Sequence, residues 1–117
     1  MTDNAIVHFD ISGPDEDGQR RFYAELLGWK VDPQGPGYAL LETPGGLRGS
    51  LIEAGAAQVT IGVGVRDLDK ALGDAERLGG TVVMPATDNG WVVKGQVRDP
   101  GGNVLTLIQQ SKPRYSR

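Results

Sequence analysis

Apolar and polar residues alternate near the start of the chain. Over residues 5–12, Val7, Phe9 and Ile11 alternate with polar or charged neighbours. Successive side chains of a strand point to opposite faces, so this pattern predicts a strand with one apolar and one polar face. His8 and Asp10 are two residues apart, so both would lie on the polar face.

A helix is predicted after this first strand. Pro14 is expected in its first turn, where the missing N–H of proline costs nothing, and Gly28 is expected to end it. Short strands are expected afterwards at residues 29–31, 38–42 and 47–53, with turns rich in glycine and proline between them. The apolar stripe of this helix consists of Phe22, Tyr23, Leu26 and Leu27.

The second half of the chain repeats the same order of elements. Residues 59–65 alternate again, Asp67 suits the N-cap of a second helix, and Gly79-Gly80 would stop that helix. Strands are expected at residues 81–84, 91–98 and 103–109. The pattern therefore predicts an α+β fold of two βαβββ modules, about residues 5–54 and 58–110, within one domain spanning 1–117. The modules would form a curved mixed sheet around a concave pocket, with the helices outside.

Composition narrows the possible classes of function. The chain has 117 residues, a formal charge of −3 and no cysteine, which excludes disulfides and thiolate chemistry. Nucleic-acid binders usually carry a basic stripe, and a membrane span needs roughly 20 consecutive apolar residues. Neither is present, so we expect a soluble cytoplasmic protein that binds neither nucleic acid nor membranes.

Several motifs resemble the vicinal oxygen chelate superfamily, which includes glyoxalase I, extradiol dioxygenases and bleomycin-binding proteins. The resemblance extends over about residues 5–109. Its most specific part is the phrase Phe-Tyr-x-x-Leu-Leu-Gly-Trp at 22–29 combined with Asp-Pro-x-Gly-Asn at 99–103. Further similarity lies at 7–11, Val-His-Phe-Asp-Ile, and at 65–69, Val-Arg-Asp-Leu-Asp. The family implies the fold strongly, but it carries several chemistries and simple binding on one scaffold.

The resemblance also implies where a metal ion would be held. Carried over to this sequence, the family's ligand positions fall near His8, Ser50, Thr60 and Thr106. Only His8 is a strong ligand, whereas a catalytic divalent ion needs about three imidazole, carboxylate or thiolate ligands. We therefore expect no metal and no cofactor. Carboxylates at Asp10, Glu42 or Glu53 would restore a site only if the strand register differs from this alignment.

The candidate site residues each have a plain structural alternative. His8 with Asp10 is a candidate catalytic general base with a supporting carboxylate, or else a pocket-lining histidine. Ser50, Thr60 and Thr106 are candidate ligand-binding hydroxyls, or else residues that simply suit strands. Gly62 and Gly64, on the face of Thr60, favour a pocket because open space or a close backbone would explain them.

Two further side chains are candidate binding residues. Trp91 is expected at a cavity rim, whereas Trp29 is expected in the core beneath the first helix. Arg48 would bind an anionic group if it shares a face with Ser50, although a solvated arginine is the ordinary outcome.

These observations favour a metal-independent small-molecule-binding protein of the glyoxalase/bleomycin-resistance type, such as a sequestering resistance protein. The alternative is a metal-dependent lyase, isomerase or dioxygenase that uses His8. A third hypothesis is a partner-binding domain with a vestigial pocket. The family resemblance and the edge strands of an open sheet further predict a homodimer.

Overall fold

A computed structural model describes residues 4–110, and the predicted order of elements is confirmed. Each of the two modules contains a strand, a helix and three further strands. The elements are β1 (Ile6–Gly13), α1 (Glu16–Leu27), β2 (Lys30–Gly35), β3 (Tyr38–Glu42), β4 (Arg48–Glu53), β5 (Gln58–Val65), α2 (Leu68–Arg77), β6 (Thr81–Asp88), β7 (Val93–Arg98) and β8 (Val104–Gln109).

The strands are hydrogen-bonded in the order β2-β3-β4-β1-β5-β8-β7-β6, which is a mixed sheet. The predicted α+β class is thereby confirmed. Contacts divide the chain into two compact units, residues 7–61 and residues 62–110 with residues 4–6. The single domain and the concave pocket between the modules stay predictions.

The unit of residues 7–61 packs α1 on one face of its strands. β1 pairs with β4 in parallel, and β3 pairs with β2 and β4 in antiparallel fashion. The Trp29 ring stacks on Tyr23 at 5.5 Å between centroids and meets Phe9 edge-on at 5.7 Å. The prediction that Trp29 is a core residue is confirmed. The buried core consists of Ile11, Ala39, Leu41 and Leu51.

The other unit is built in the same way around α2. β8 pairs with β5 in parallel and with β7 in antiparallel fashion, and β6 pairs with β7. The Asp67 side chain accepts a hydrogen bond from the Lys70 N–H at 3.1 Å, so its prediction as N-cap is confirmed. The core consists of Val65, Leu68, Leu72, Val97 and Leu107.

The start of α1 differs from the prediction. Asp15 is the N-cap, with a left-handed φ of 61°, and its side chain accepts from the Gly18 N–H. The helix begins at Glu16, so the placement of Pro14 in the first turn was wrong. An aspartate can adopt the left-handed conformation and cap the helix at once, which sets the start after the proline. Gly28 ends α1 with a φ of 71°, as predicted.

Three strand boundaries moved by two residues or more. β2 continues to Gly35 and β6 to Asp88, while β7 begins at Val93 instead of residue 91. The Asn89 side chain accepts hydrogen bonds from the Trp91 and Val92 N–H groups, which holds these residues in a turn. Neither helix of the described residues is long and apolar enough to cross a membrane.

Candidate functional site

The face of β1, β3 and β4 opposite α1 is called the polar face here, because His8, Asp10 and Ser50 lie on it. The parallel register places His8 beside Arg48 and Asp10 beside Ser50. In a parallel pair, such partners share a face, and Phe9, Ile11 and Leu51 turn toward the core instead. This register places Ser50 on the same face as His8 and Asp10.

His8 makes two side-chain hydrogen bonds through one ring nitrogen. Its Nε2 lies 3.1 Å from Asp10 Oδ1 and 3.1 Å from Ser50 Oγ. An ionised Asp10 carboxylate only accepts hydrogen bonds, so we assign the ring hydrogen to Nε2. In this neutral tautomer Nδ1 keeps its lone pair, and Nδ1 has no hydrogen-bond partner within residues 4–110.

This geometry does not activate Ser50 as a nucleophile. In a Ser-His-Asp triad the carboxylate orients one ring nitrogen, and the other nitrogen takes the serine proton. Here Asp10 and Ser50 share Nε2, which already carries a hydrogen and cannot accept another. The arrangement fixes the imidazole ring and offers Nδ1 as an acceptor or a base.

The three side chains of this cluster are buried to different extents. The side chains of His8 and Asp10 are 29% and 21% exposed, while Ser50 is only 4% exposed. A small molecule can therefore reach the imidazole, whereas Ser50 serves mainly to hold it. A half-buried histidine with a fixed tautomer is a suitable directional partner for a ligand N–H or O–H.

The polar face continues from β4 onto β3. Leu40 lies beside Ser50, Glu42 beside Arg48, and Tyr38 beside Ile52. Arg48 is exposed and does share the face of Ser50, although its role toward an anion stays a prediction. Sequence analysis missed Leu40, which is 37% exposed on this face. Inward and outward side chains alternate along β3, and its pairing with β4 places Leu40 beside Ser50, so these two features together would have identified it.

The unit of residues 62–110 has its own polar pair. Gln96 Nε2 donates to the Thr106 hydroxyl at 3.1 Å, and Thr106 is 4% exposed. Sequence analysis did not single out Gln96, because only the antiparallel register of β7 and β8 brings it beside Thr106. Thr60 is also buried, at 7% exposure in the other unit. Ligand binding by either threonine stays a prediction.

The expectation of open space or a close backbone at Gly64 was wrong. A Cβ at Gly64 would collide with the side-chain amide of Gln110, so a side chain, rather than open space or a backbone, occupies that position. Trp91 is 88% exposed at the turn between β6 and β7. Its role as a ligand-binding residue stays a prediction.

An open depression of about 660 Å³ lies beside the start of α1. Its acidic groups already have partners: Glu53 Oε1 accepts from the Glu16 N–H at 2.8 Å, and Glu16 Oε2 accepts from Arg20 Nε at 2.5 Å. The hydrogen bond to Glu16 raises the pKa of Arg20. This depression is a capped helix end, lined by Asp15, Glu16, Asp17, Pro36, Gly37 and Glu53.

The donor set does not fit the metal ion that the family implies. Of the four positions, one carries an imidazole and three carry neutral hydroxyls, which are weak ligands. The Ser50 and Thr106 hydroxyls are already hydrogen-bonded to His8 and Gln96. Within residues 4–110, no group of three or more His, Cys, Asp or Glu side chains could hold a metal.

Comparison with known proteins gives one family match. The family model of the glyoxalase-like domain matches residues 6–108. No curated protein matches the chain.

Solved structures agree in fold at low sequence identity. Methylmalonyl-CoA epimerase from Mycobacterium tuberculosis has a TM-score of 0.71 at 19% identity, covering 99% of this chain and 95% of its own. A glyoxalase/bleomycin resistance protein/dioxygenase superfamily member from Vibrio splendidus 12B01 has a TM-score of 0.70 at 16% identity, covering 92% and 99%. A variant of homoprotocatechuate 2,3-dioxygenase from B. fuscum has a TM-score of 0.76 at 20% identity, covering 94% of this chain and 33% of its own. At these identities the likeness shows the fold alone.

Proposed function

Because the chain belongs to the glyoxalase-like domain family, we propose that it is a small-molecule-binding protein that works without a metal ion. The observation that carries the proposal is the His8 cluster: an imidazole held by Asp10 and Ser50, with Nδ1 left to accept a hydrogen bond. Sequestration of a toxic compound, as in resistance proteins of the glyoxalase/bleomycin-resistance type, is the physiological role that we propose.

The polar face indicates how a ligand would be bound. His8 Nδ1 would accept from a ligand N–H or O–H, and the exposed Arg48 guanidinium on the neighbouring strand would pair with an anionic group. Leu40 and Tyr38, each 37% exposed, would supply apolar area beside them.

A ligand screen with matched His8 variants tests this proposal. Purified protein is screened by thermal shift and native mass spectrometry against small aromatic and carboxylic-acid metabolites and bleomycin. His8→Gln keeps an N–H donor for Asp10 and Ser50 but lacks the Nδ1 acceptor. We expect His8→Gln to fold normally and to bind a hit about three- to tenfold more weakly, the effect of one lost hydrogen bond.

Leu78→Gln is the control, because Leu78 is 66% exposed at the end of α2 in the other unit. It should bind as tightly as the unmodified chain. A hit whose affinity is the same in His8→Gln would place binding away from the polar face and contradict the proposal.

A second candidate is an enzyme in which His8 is a general base. The free Nδ1 lone pair favours it, since Nδ1 could take a substrate proton while Asp10 stabilises the resulting imidazolium. The metal-dependent lyase, isomerase or dioxygenase form requires ligands that the four positions do not supply. Incubation of each hit with the protein, followed by mass spectrometry, separates the two candidates: an enzyme converts the compound and a binding protein returns it unchanged.

The cytoplasmic location expected from the sequence is part of this proposal. Fractionation of cells that express the chain tests it.

A further inference from the structure

The turn between β6 and β7 contains an asparagine followed by a glycine, Asn89-Gly90. In such a pair, the glycine nitrogen and the asparagine Cγ can join into a five-membered ring, because both already belong to one short stretch of chain. Glycine has no Cβ, so its nitrogen is easily approached. Both residues are exposed, and nothing lies within 4 Å of a Cβ built on Gly90. The pair is therefore open to solvent water.

The Asp88 carboxylate contacts the nitrogen that would attack. The Gly90 N–H donates a hydrogen bond to Asp88 Oδ1 at 2.8 Å. A general base must lie within hydrogen-bond reach of the proton that it removes, and Asp88 meets this requirement.

The Asn89 side chain is held in the turn by its carbonyl oxygen. Asn89 Oδ1 accepts hydrogen bonds from the Trp91 N–H and the Val92 N–H, each at 3.0 Å. Two backbone donors on one carbonyl oxygen stabilise the negative charge that develops there when Cγ is attacked, as in an oxyanion hole. The Nδ2 group, which would leave, has no hydrogen-bond partner within residues 4–110.

We propose that this turn converts Asn89 into aspartate and isoaspartate without the help of another protein. Asp88 takes the proton of the Gly90 N–H while the nitrogen bonds to Asn89 Cγ. The bond between Cγ and Nδ2 then breaks, and Nδ2 leaves as ammonia with the proton that Asp88 held. Water from the solvent opens the resulting succinimide ring at either carbonyl carbon, which gives aspartate or isoaspartate.

The reaction changes the turn in two ways. Either product adds a negative charge next to Asp88, and like charges repel each other. Isoaspartate also places its Cβ in the main chain, so the backbone becomes one carbon longer directly before Gly90. Trp91, which is 88% exposed, follows at once and is displaced by this insertion.

Asn103 is an internal control in the same chain. Its Nδ2 donates to Asp99 Oδ2 at 3.0 Å, so this carboxylate contacts the leaving group and the attacking nitrogen is left without a base. That nitrogen belongs to Val104, whose branched side chain crowds it and whose backbone is fixed in β8. Asn103 should therefore remain an asparagine while Asn89 reacts.

Incubation of the purified full chain in heavy-oxygen water at neutral pH, followed by trypsin digestion and mass spectrometry, tests the proposal. Heavy oxygen marks only the molecules that react during the incubation. Trypsin releases Asn89 in the segment between Arg77 and Lys94, and chromatography separates the aspartate form from the isoaspartate form. We expect conversion at Asn89 to be at least about tenfold faster than at Asn103.

Asp88→Asn distinguishes a carboxylate that reacts from one that only shapes the turn. The new amide oxygen still accepts the Gly90 N–H but takes up a proton far less readily. Conversion of Asn89 should slow by about tenfold or more, since a positioned general base commonly contributes a larger factor. Fragmentation in the mass spectrometer distinguishes residue 89 from residue 88. Asp32→Asn removes the same charge at an exposed position on β2 and should leave the rate unchanged.

Three results would overturn the proposal. They are an Asn89 that stays unconverted over several weeks, equal conversion at Asn89 and Asn103, and an Asp88→Asn chain that reacts as fast as the unmodified chain. No residue of this turn belongs to the His8 cluster, so these results are independent of the proposed binding function.

Discussion

At the scale of single residues, Gly49 shows why a small side chain is needed on β4. A Cβ at Gly49 would collide with the Phe9 ring, which lies over the glycine and meets Trp29 edge-on. The Phe9 ring therefore uses the space that a side chain at Gly49 would fill. Because Phe9 and Trp29 are both packed against the core, the ring has little room to move.

We expect Gly49→Ala to lower the free energy of unfolding by about 1–3 kcal/mol through overpacking. Gly73→Ala is the control, because Gly73 is an exposed residue inside α2 with nothing within 4 Å of an added Cβ. It should raise stability by about 0.5–1 kcal/mol, since alanine favours the helix. Urea unfolding of both variants measures the difference. Equal effects at the two positions would show that the Phe9 contact is not close.

Sequence reasoning worked well at His8 and Asp10 but less well at other residues. The two-residue period correctly placed both side chains on one face. The sharing of Nε2 by Asp10 and Ser50 was out of reach, because it depends on rotamers and on the distance between two strands. The interpretation of Gly64 was wrong for a similar reason. The Gln110 side chain lies against Gly64, and no local sequence pattern predicts that contact.

At the scale of elements, the turn between β7 and β8 depends on Asp99. Its carboxylate accepts from the Asn103 side-chain amide at 3.0 Å and from the Asn103 N–H at 2.8 Å. These hydrogen bonds lower the pKa of Asp99 below its usual value, the side-chain bond being the larger cause. The ionised form is therefore the one that stabilises the turn.

This shift fixes the sign of a pH effect. A lowered pKa in the folded state adds stability that is fully present above the pKa of the unfolded chain, about pH 4, and is lost as the pH falls through the folded value. We expect Asp99→Asn to lower the melting temperature at pH 7 and to differ less from the unmodified chain at about pH 3. Asp32→Asn, which removes a negative charge at an exposed position on β2, is the control and should leave the melting temperature at pH 7 unchanged. A constant difference across the pH range would exclude a role for the Asp99 charge.

Element order was predictable because turns and caps carry local signals. Gly28 ends α1 because glycine adopts the left-handed conformation easily. Asp67 begins α2 because its side chain caps a free backbone N–H. The start of α1 was not predictable from Pro14, because Asp15 adopts a left-handed conformation that sequence alone rarely indicates. The apolar stripe of α1 lies at helical spacing, yet Phe22 and Leu26 are more than half exposed, because the spacing identifies one flank of a helix and not how much of it is buried.

At the scale of the whole molecule, the repeated module explains why the two halves are built in the same way. Their polar side chains nevertheless differ. Each unit packs one helix on its strands and keeps polar groups on the face opposite. One unit has the His8 cluster with the Asp10 carboxylate, and the other has the neutral pair of Gln96 and Thr106. The fold could be predicted from the repeat, but the pairing of Gln96 with Thr106 required the register between strands.

The last prediction concerns metal ions and rests on donor chemistry. We expect the melting temperature of the purified chain to stay the same when a chelator is added. We also expect no rise in melting temperature when zinc, manganese, nickel or iron is added. A metal present at a hundredfold above its dissociation constant would stabilise the fold by about 2.7 kcal/mol, so thermal unfolding would reveal it. Ser50→Asp is the positive comparison: Ser50 Oγ lies 3.1 Å from His8 Nε2, so this change adds a second carboxylate to His8 and Asp10. Three strong donors in one cluster are the number that a divalent ion needs, so the variant should gain a metal-dependent rise in melting temperature. If the unmodified chain retains about one metal per molecule by elemental analysis, its ligands must include groups other than the four family positions, and metal-independent binding would be wrong.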